Sequence, residues 1–508
     1  MYPLDRGIVI TGNYGEIRPN HFHAGLDFST SPTVHLPIKS VADGYVSRIK
    51  IASSGYGRVL YVTHANGYVS VYAHQKKYAK KIDEYIKLKQ IELKKNEIEV
   101  FPNTTDLVVK QGEIIGYTGN TGNSTGPHLH FEIREEKTET PINPLLIYDV
   151  KDDIKPILTH IAFYNTIDTN NISRKLIMPV KNSNNKLSPA KYTQILNGNT
   201  FALGFSGYDA ANASDNKNNI YEAKILLDDA VIYHHQLNNM SFDNARYVNY
   251  FSEKENGIKF QKCFTPQCYN VAIYKKLIHG GKIVLHDTLA HKINIWVYDE
   301  KGNQNSLTFF VKTKSIKGYA PNSIKYNVFC NKAYSLKKDD IEINIKDGTL
   351  HRNILLHAFV NKLGNVVIGN KDEILLNAFS LSVKIPNSIK GREDKIVLQN
   401  ENAYLSGSFK DGWFTTESKS FGEFKISYDT IAPLISKVLK GHITRFKIAD
   451  TQSGISEYHV YYNGVWKIAE YDAKSSTVVC YIDDYLPTGK IIIKVVDKVG
   501  NKTIKEIN

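Results

Sequence analysis

The chain is poor in cysteine, with four in 508 residues. Cys263, Cys268, Cys330 and Cys480 do not form a zinc-knuckle pattern. Cys263 and Cys268 are spaced to pair in an oxidising compartment, with free buried thiols as the alternative. Long apolar runs are missing too: no stretch approaches the ~20 residues of a transmembrane helix. Met1-Tyr2-Pro3-Leu4-Asp5 is not a signal peptide. His-Glu-x-x-His is absent, which excludes a helix-borne zinc protease site. The glycine-rich stretch Gly119 to Gly126 lacks the lysine and spacing of a phosphate-binding loop, which argues against nucleotide binding.

What the chain does have is histidine, in three segments near its start. They are His23-Ala24-Gly25-Leu26-Asp27, Val71-Tyr72-Ala73-His74 and Gly126-Pro127-His128-Leu129-His130-Phe131. A hydrolytic zinc centre needs three protein ligands, an open position and separate groups to move protons. Two histidines and one aspartate can serve as ligands, which leaves two histidines for proton work.

Gly25 argues against a helix over the first segment, because glycine is costly in helix interiors. A strand over Pro127 to Arg134 puts His128, His130, Glu132 and Arg134 on one face and Leu129, Phe131 and Ile133 on the other. The apolar face buries itself and two imidazoles look into a groove. Asn66-Gly67, between Arg58–His64 and Tyr68–His74, predicts a two-residue hairpin turn. That turn pairs Thr63 with Ser70 and Tyr61 with Tyr72. His74 then joins Tyr61, Thr63, Ser70 and Tyr72 on the polar side. His64 falls with Leu60, Val62, Val69, Val71 and Ala73, as a satisfied structural histidine.

These residues carry a resemblance. Asn20 to Asp27, Ala42-Asp43-Gly44-Tyr45-Val46, Tyr72-Ala73-His74 and Gly122 to Glu132 resemble the LytM/lysostaphin-type zinc metallopeptidases, which cleave peptide bonds in bacterial peptidoglycan. The likeness covers roughly residues 7 to 147. It implies a compact, mostly antiparallel β-domain that binds Zn2+ through His23, Asp27 and His130, with His74 and His128 as catalytic histidines. His21 lies outside the ligand pattern and is expected as a groove residue or a support for the ligands. The Lys/Glu-rich run from Lys76 to Glu99 reads as an irregular amphipathic helix inserted into this domain.

Beyond Tyr148 the chain turns to short alternating apolar runs separated by Asn, Gly, Asp and Lys, which predicts β-sandwiches. Asp153-Ile154-Lys155-Pro156-Ile157 echoes Asp429 to Ile435. Val297-Tyr298-Asp299-Glu300-Lys301-Gly302-Asn303 echoes Val495 to Asn501, and each Asp-x-x-Gly-Asn is a turn between the last two strands of an immunoglobulin-like sandwich. The expected organisation is mainly β: a peptidase domain over 1–150 with a helical insertion at 76–99, an Ig-like sandwich over 151–313, a β-rich domain over 314–428 and an Ig-like sandwich over 429–508. This agrees with a length prior of three to four domains.

A formal charge of +13 and a pI near 9.1 favour anionic surroundings such as cell-wall polymers. The basic residues are dispersed rather than clustered on a nucleic-acid motif. The resemblance implies a D,D-endopeptidase acting on peptidoglycan stem peptides, at the cell envelope or periplasm or secreted, from a mature form whose signal peptide is removed. A protein partner in the envelope is expected to dock, if anywhere, through the β-domains. The alternative reading is a non-catalytic LytM-type regulator that binds the wall and activates amidases. Intact ligand and histidine positions favour the enzyme.

Overall fold

A computed structural model describes the chain except for residues 6–8, 31–34, 167–171, 211–215, 239, 267, 269–270, 317–324, 387–390 and 508. The protein is mainly β, as expected, with one α-helix longer than four residues among the described residues. No described helix is long and apolar enough to cross a membrane.

Five strands and that helix position the histidines: β1 (Leu26–Ser29), β2 (Gly44–Ile51), β3 (Arg58–Thr63), β4 (Tyr68–Ala73), α1 (Lys80–Leu93) and β5 (His128–Glu135). The main sheet runs Ile10–Gly12, β1, β5, β4, β3, β2, Ile98–Val100. Each of these neighbours pairs antiparallel. Alternation in β5 follows the pattern of its residues. Leu129 and Phe131 are buried in the main core beside Leu60, Val62 and Tyr72. His130, Glu132 and Arg134 face the other side, where Val59, Tyr61, Val71 and Ala73 form a small cluster.

The β3–β4 register differs from the expected one. Leu60 pairs with Tyr72, Val62 with Ser70 and Thr63 with Val69, and the His64 N–H binds the Tyr68 carbonyl. The loop is therefore Ala65-Asn66-Gly67, three residues long, with Gly67 at φ 80°. Such a loop takes glycine in the left-handed position. A one-residue slip moves a strand's side chains to the opposite face. Ser70 and Tyr72 thus point into the core, away from the groove. His74 escapes this inversion because it lies beyond the end of β4, in a left-handed conformation at φ 58°.

The helix is shorter than the expected 76–99. Lys77–Tyr78 and Ile98–Val100 are strands, and α1 spans Lys80–Leu93. Ile82, Ile86 and Gln90 form its buried stripe, while Leu88, Ile91 and Leu93 are exposed. Lys94 ends it in a left-handed conformation.

Beyond the main sheet lie three pairs of sheets, each pair enclosing its own apolar cluster. A seven- and a six-stranded sheet use strands from Ile157 to Thr313. Two five-stranded sheets lie between Tyr334 and Tyr428. Two four-stranded sheets fill Leu434 to Ile507. The main-sheet core is not self-contained: Tyr164, Tyr247, Phe251 and Phe260 belong to the same cluster as Phe22 and Leu26. Cys268 pairs with Cys330 in a disulfide, while Cys263 and Cys480 are free and buried. Of the two readings left open for Cys263 and Cys268, a mutual pair or free buried thiols, Cys263 follows the second and Cys268 neither, bridging instead across 62 residues. Nearness in sequence gave no clue to that partner.

The sequence echoes correspond to one repeated device. Asp299 Oδ1 accepts from Lys301 N and Asn303 N, and Oδ2 accepts from Asn303 Nδ2. Asp497 repeats this with Val499 and Asn501. Asn303 Nδ2 also donates to the Asp152 carbonyl, and Asn501 Nδ2 to that of Asp429. The structural counterpart of Asp429 is therefore Asp152, one residue before the expected Asp153.

Candidate metal centre

Strand register assembles the site. β1 and β5 pair with His130 opposite Asp27, and β5 and β4 pair with His130 opposite Ala73. His74, one residue past Ala73, thus arrives beside the centre. His23 precedes β1 on the turn through Ala24-Gly25. A Cβ on Gly25 would lie 2.2 Å from the Phe131 carbonyl oxygen, so glycine lets this turn press against β5.

Three donor atoms converge. His23 Nε2 lies 2.9 Å from His130 Nδ1 and 3.0 Å from Asp27 Oδ1, and His130 Nδ1 lies 3.0 Å from Asp27 Oδ1. All three side chains are buried. Donors at 2.0–2.1 Å from a tetrahedral zinc sit about 3.3 Å apart, so the triangle is close to zinc-sized. No other metal-capable trio among the described residues contains a histidine.

The hydrogen bonds around the triangle dictate what it holds. His23 Nδ1 is 2.7 Å from the Asn13 carbonyl, and His130 Nε2 is 2.7 Å from Glu132 Oε1. A carbonyl and a carboxylate only accept, so both outer nitrogens carry the protons. The inner nitrogens of neutral rings then face each other with lone pairs at 2.9 Å. That contact is repulsive unless a cation, proton or metal, sits among them. Burial opposes protonation of His130, yet the carboxylates of Asp27 and Glu132 outweigh it and hold its pKa up at about 9. Burial likewise opposes ionisation of Asp27, but His23 and His130 hold it well below the usual carboxylate range. Arg18, itself bound to Glu16, fixes Asp27 Oδ2.

Two further imidazoles flank the triangle. His74 Nδ1 is 2.8 Å from the Thr121 carbonyl, and His128 Nδ1 is 2.8 Å from that of Gly126. Each carries its proton on Nδ1 and keeps an Nε2 lone pair. His128 Nε2 approaches Asp27 Oδ1 only at 3.4 Å and makes no hydrogen bond. The two rings lie 4.8 Å apart between centroids. Burial, then the neighbouring His130 and His128, push His74 down to about 3.

All five expected site residues come together. His21 does not join them: it is exposed and hydrogen-bonds only the Pro19 carbonyl. His64 is held between the Asp43 carbonyl and Ser70 Oγ, a structural role as expected. Sequence reasoning missed Asn13, Tyr56 and the use of Glu132. Glu132 is fully buried and receives Arg134 Nε at 2.6 Å and the Tyr56 hydroxyl. Its parity with His130 was the available signal; for Asn13, which acts through its backbone, there was none.

The last pair of sheets contacts the same loops. Lys474 Nζ donates to the Asn120 and Ser124 carbonyls, and Arg58 pairs with Glu470. A cleft of about 480 Å³ lies at this contact, lined by Gly119 to Gly122, Pro127, Tyr471 and Lys474, but by none of the five site residues.

Two histidines and a carboxylate around one point, flanked by two imidazoles free at Nε2, make up a donor set of the kind that can hold a zinc ion. Residues 21–91 and 97–144 match Peptidase family M23, so this part of the chain is an M23, LytM-type peptidase domain. Residues 325–429 match the Zu5-like domain. An uncharacterized metalloprotease of Haemophilus influenzae is 32% identical over 155 residues, covering 29% of this chain and 26% of its own length. The DD-carboxypeptidase/endopeptidase Mpg of Neisseria meningitidis serogroup B is 30% identical over 125 residues, 25% of this chain and 22% of its own. A zinc containing peptidase from Vibrio cholerae, solved by crystallography, is 27% identical with a TM-score of 0.21, over 28% of this chain and 37% of that one. The match thus spans about a quarter of these curated relatives.

Proposed function

We propose that the protein is a zinc-dependent endopeptidase that hydrolyses peptide cross-links of bacterial peptidoglycan, with D,D-bonds as its preferred target. The observation that carries this reading is the triangle of His23 Nε2, Asp27 Oδ1 and His130 Nδ1 with sides of 2.9–3.0 Å. Relatives named for DD-endopeptidase activity, including one from Vibrio cholerae at 29% identity, support the bond preference. The envelope or periplasm is the matching location, and stem peptides are the matching partner.

His23, Asp27 and His130 would hold the ion. Zinc, when bound, supplies the Lewis acidity that polarises a scissile carbonyl and acidifies water. The remaining work falls to the chain's own groups. Asn13 and Glu132 fix the tautomers of the ligand rings, and Arg18 keeps Asp27 Oδ1 turned inward. His74 and His128 present Nε2 lone pairs, able to accept a proton from the attacking water and return it to the leaving amine.

Purified sacculi incubated with the protein, with and without chelator, test the reading through muropeptide masses. The expected result is loss of cross-linked dimers that chelator prevents. Unchanged muropeptides would refute it in favour of a non-catalytic wall-binding regulator.

A further inference from the structure

Two largely buried acidic clusters lie outside the zinc-type triangle and occupy equivalent places in the repeat. Asp152, Asp209 and Asp299 form one; Asp429, Asp450 and Asp497 form the other. In each, the first aspartate opens the pair of sheets. The second follows directly after a strand (Thr200–Tyr208 or Ile443–Ala449), and the third holds the Asp-x-x-Gly-Asn turn. Within each trio the ligand oxygens lie within 4.8 Å of one another. Oxygens bound to one cation at 2.3–2.6 Å span at most about 5 Å, so each trio fits around a single ion.

Unpartnered atoms point the same way. Asp209 is 3% exposed, and its Oδ1 finds no hydrogen-bond partner among the protein atoms. It borders a cavity of about 20 Å³, shared with Asp152, Asn218 and Glu300. That volume holds one water or one ion and nothing larger. The strongest charged influences on Asp209 are Glu300, Asp299 and Asp152, all carboxylates. The adjacent Lys301 spends its ammonium on the Leu145 and Tyr148 carbonyls. In the second cluster, Asp450 Oδ1 and the buried Ser453 Oγ are also without partners. Asp299 Oδ2 accepts one hydrogen bond, as does Asp497 Oδ2, so each retains a lone pair for an ion.

We propose that each cluster binds one calcium-type divalent cation, through Asp152, Asp209 and Asp299 in the first and Asp429, Asp450 and Asp497 in the second. The donors are all hard oxygens, which suit Ca2+ and give zinc no nitrogen or sulfur to prefer. Both ions sit at joints. Asp152 follows the last peptidase residues, and Asp429 follows the second pair of sheets, where Lys395 Nζ reaches across to the Val499 carbonyl. Each ion would clamp a chain entry, a strand end and a turn, stiffening the joint.

The test titrates CaCl2 into the full chain carrying one equivalent of Zn2+, with isothermal calorimetry as readout. Two calcium ions per chain are expected, with a rise in the unfolding midpoint. Asp209→Asn and Asp450→Asn should each remove one ion, and Asp27→Ala should remove neither. Fewer than two ions on the unaltered chain at 1–2 mM Ca2+ overturns the proposal, whether or not the variants fold. An unchanged count in a folded Asp209→Asn or Asp450→Asn, or loss of calcium in Asp27→Ala, overturns it too.

Discussion

Glu132→Gln removes one negative charge from a fully buried position and keeps the side-chain shape. In the native protein Glu132 Oε1 takes the proton of His130 Nε2 at 2.7 Å, and Oε2 takes Arg134 Nε at 2.6 Å. Burial opposes its ionisation, but Arg134 and His130 hold its pKa down to about 2, so the carboxylate is charged at every working pH. Removing a carboxylate that orients a metal-bound histidine costs about 10–100-fold in metal affinity, or about 1.4–2.7 kcal/mol. A second cost falls on the fold. Arg134 is only 4% exposed, and breaking a buried ion pair costs about 3–5 kcal/mol; the amide oxygen still accepts, which places the loss toward the lower figure. Competition against a chromophoric zinc chelator reads the first effect and thermal unfolding reads the second. A lower midpoint with unchanged zinc affinity would refute the idea that Glu132 acts through His130.

Four further outcomes follow from the same geometry. His128→Ala should keep stoichiometric zinc by atomic absorption yet lose about 10²–10⁴-fold in muropeptide turnover, whereas Asp27→Ala or His130→Ala should lose metal and turnover together. Zinc binding at pH 7 should release about one proton, because His130 is protonated below about 9 without metal and must lose that proton to become a ligand. Apparent affinity should therefore fall about tenfold per pH unit as pH drops below 9; calorimetry in two buffers of different ionisation enthalpy measures the proton. Lys474→Ala should leave zinc affinity unchanged and lower kcat a few-fold, since Lys474 braces the loop whose Thr121 and Gly126 carbonyls hold His74 and His128. A fragment ending at residue 150 should bind a hydrophobic dye and unfold well below the full chain, because it strips Tyr247, Phe251 and Phe260 from its core.

Much of the site was legible because strand parity is rigid. The face shared by His128, His130 and Glu132, and the apolar face of Leu129 and Phe131, follow from alternation alone. The β3–β4 hairpin shows where such reasoning slips: Asn-Gly suits both two- and three-residue loops, and one residue reverses the destination of Ser70 and Tyr72. His74 was placed beside the groove through an incorrect pairing, and its real position depends on a left-handed residue that no alternation predicts. Groups acting through backbone carbonyls, such as Asn13, Thr121 and Gly126, leave no signature in side-chain pattern. The Cys268–Cys330 bridge was hidden for a related reason, since 62 residues of intervening fold decide that meeting.

The core shared between the main sheet and the next pair of sheets has a consequence for how this chain can change. Asn13 offers its carbonyl to His23 while its side chain donates to the Asn219 carbonyl, and Tyr14 receives the Met240 N–H. A module joined by a free linker can be exchanged without disturbing its neighbour. Here an exchange at residue 150 would leave Asn13 and Tyr14 facing a stranger, two bonds from a metal ligand. The zinc-type centre and its neighbouring sheets are therefore inherited as one piece, and no boundary at residue 150 separates them.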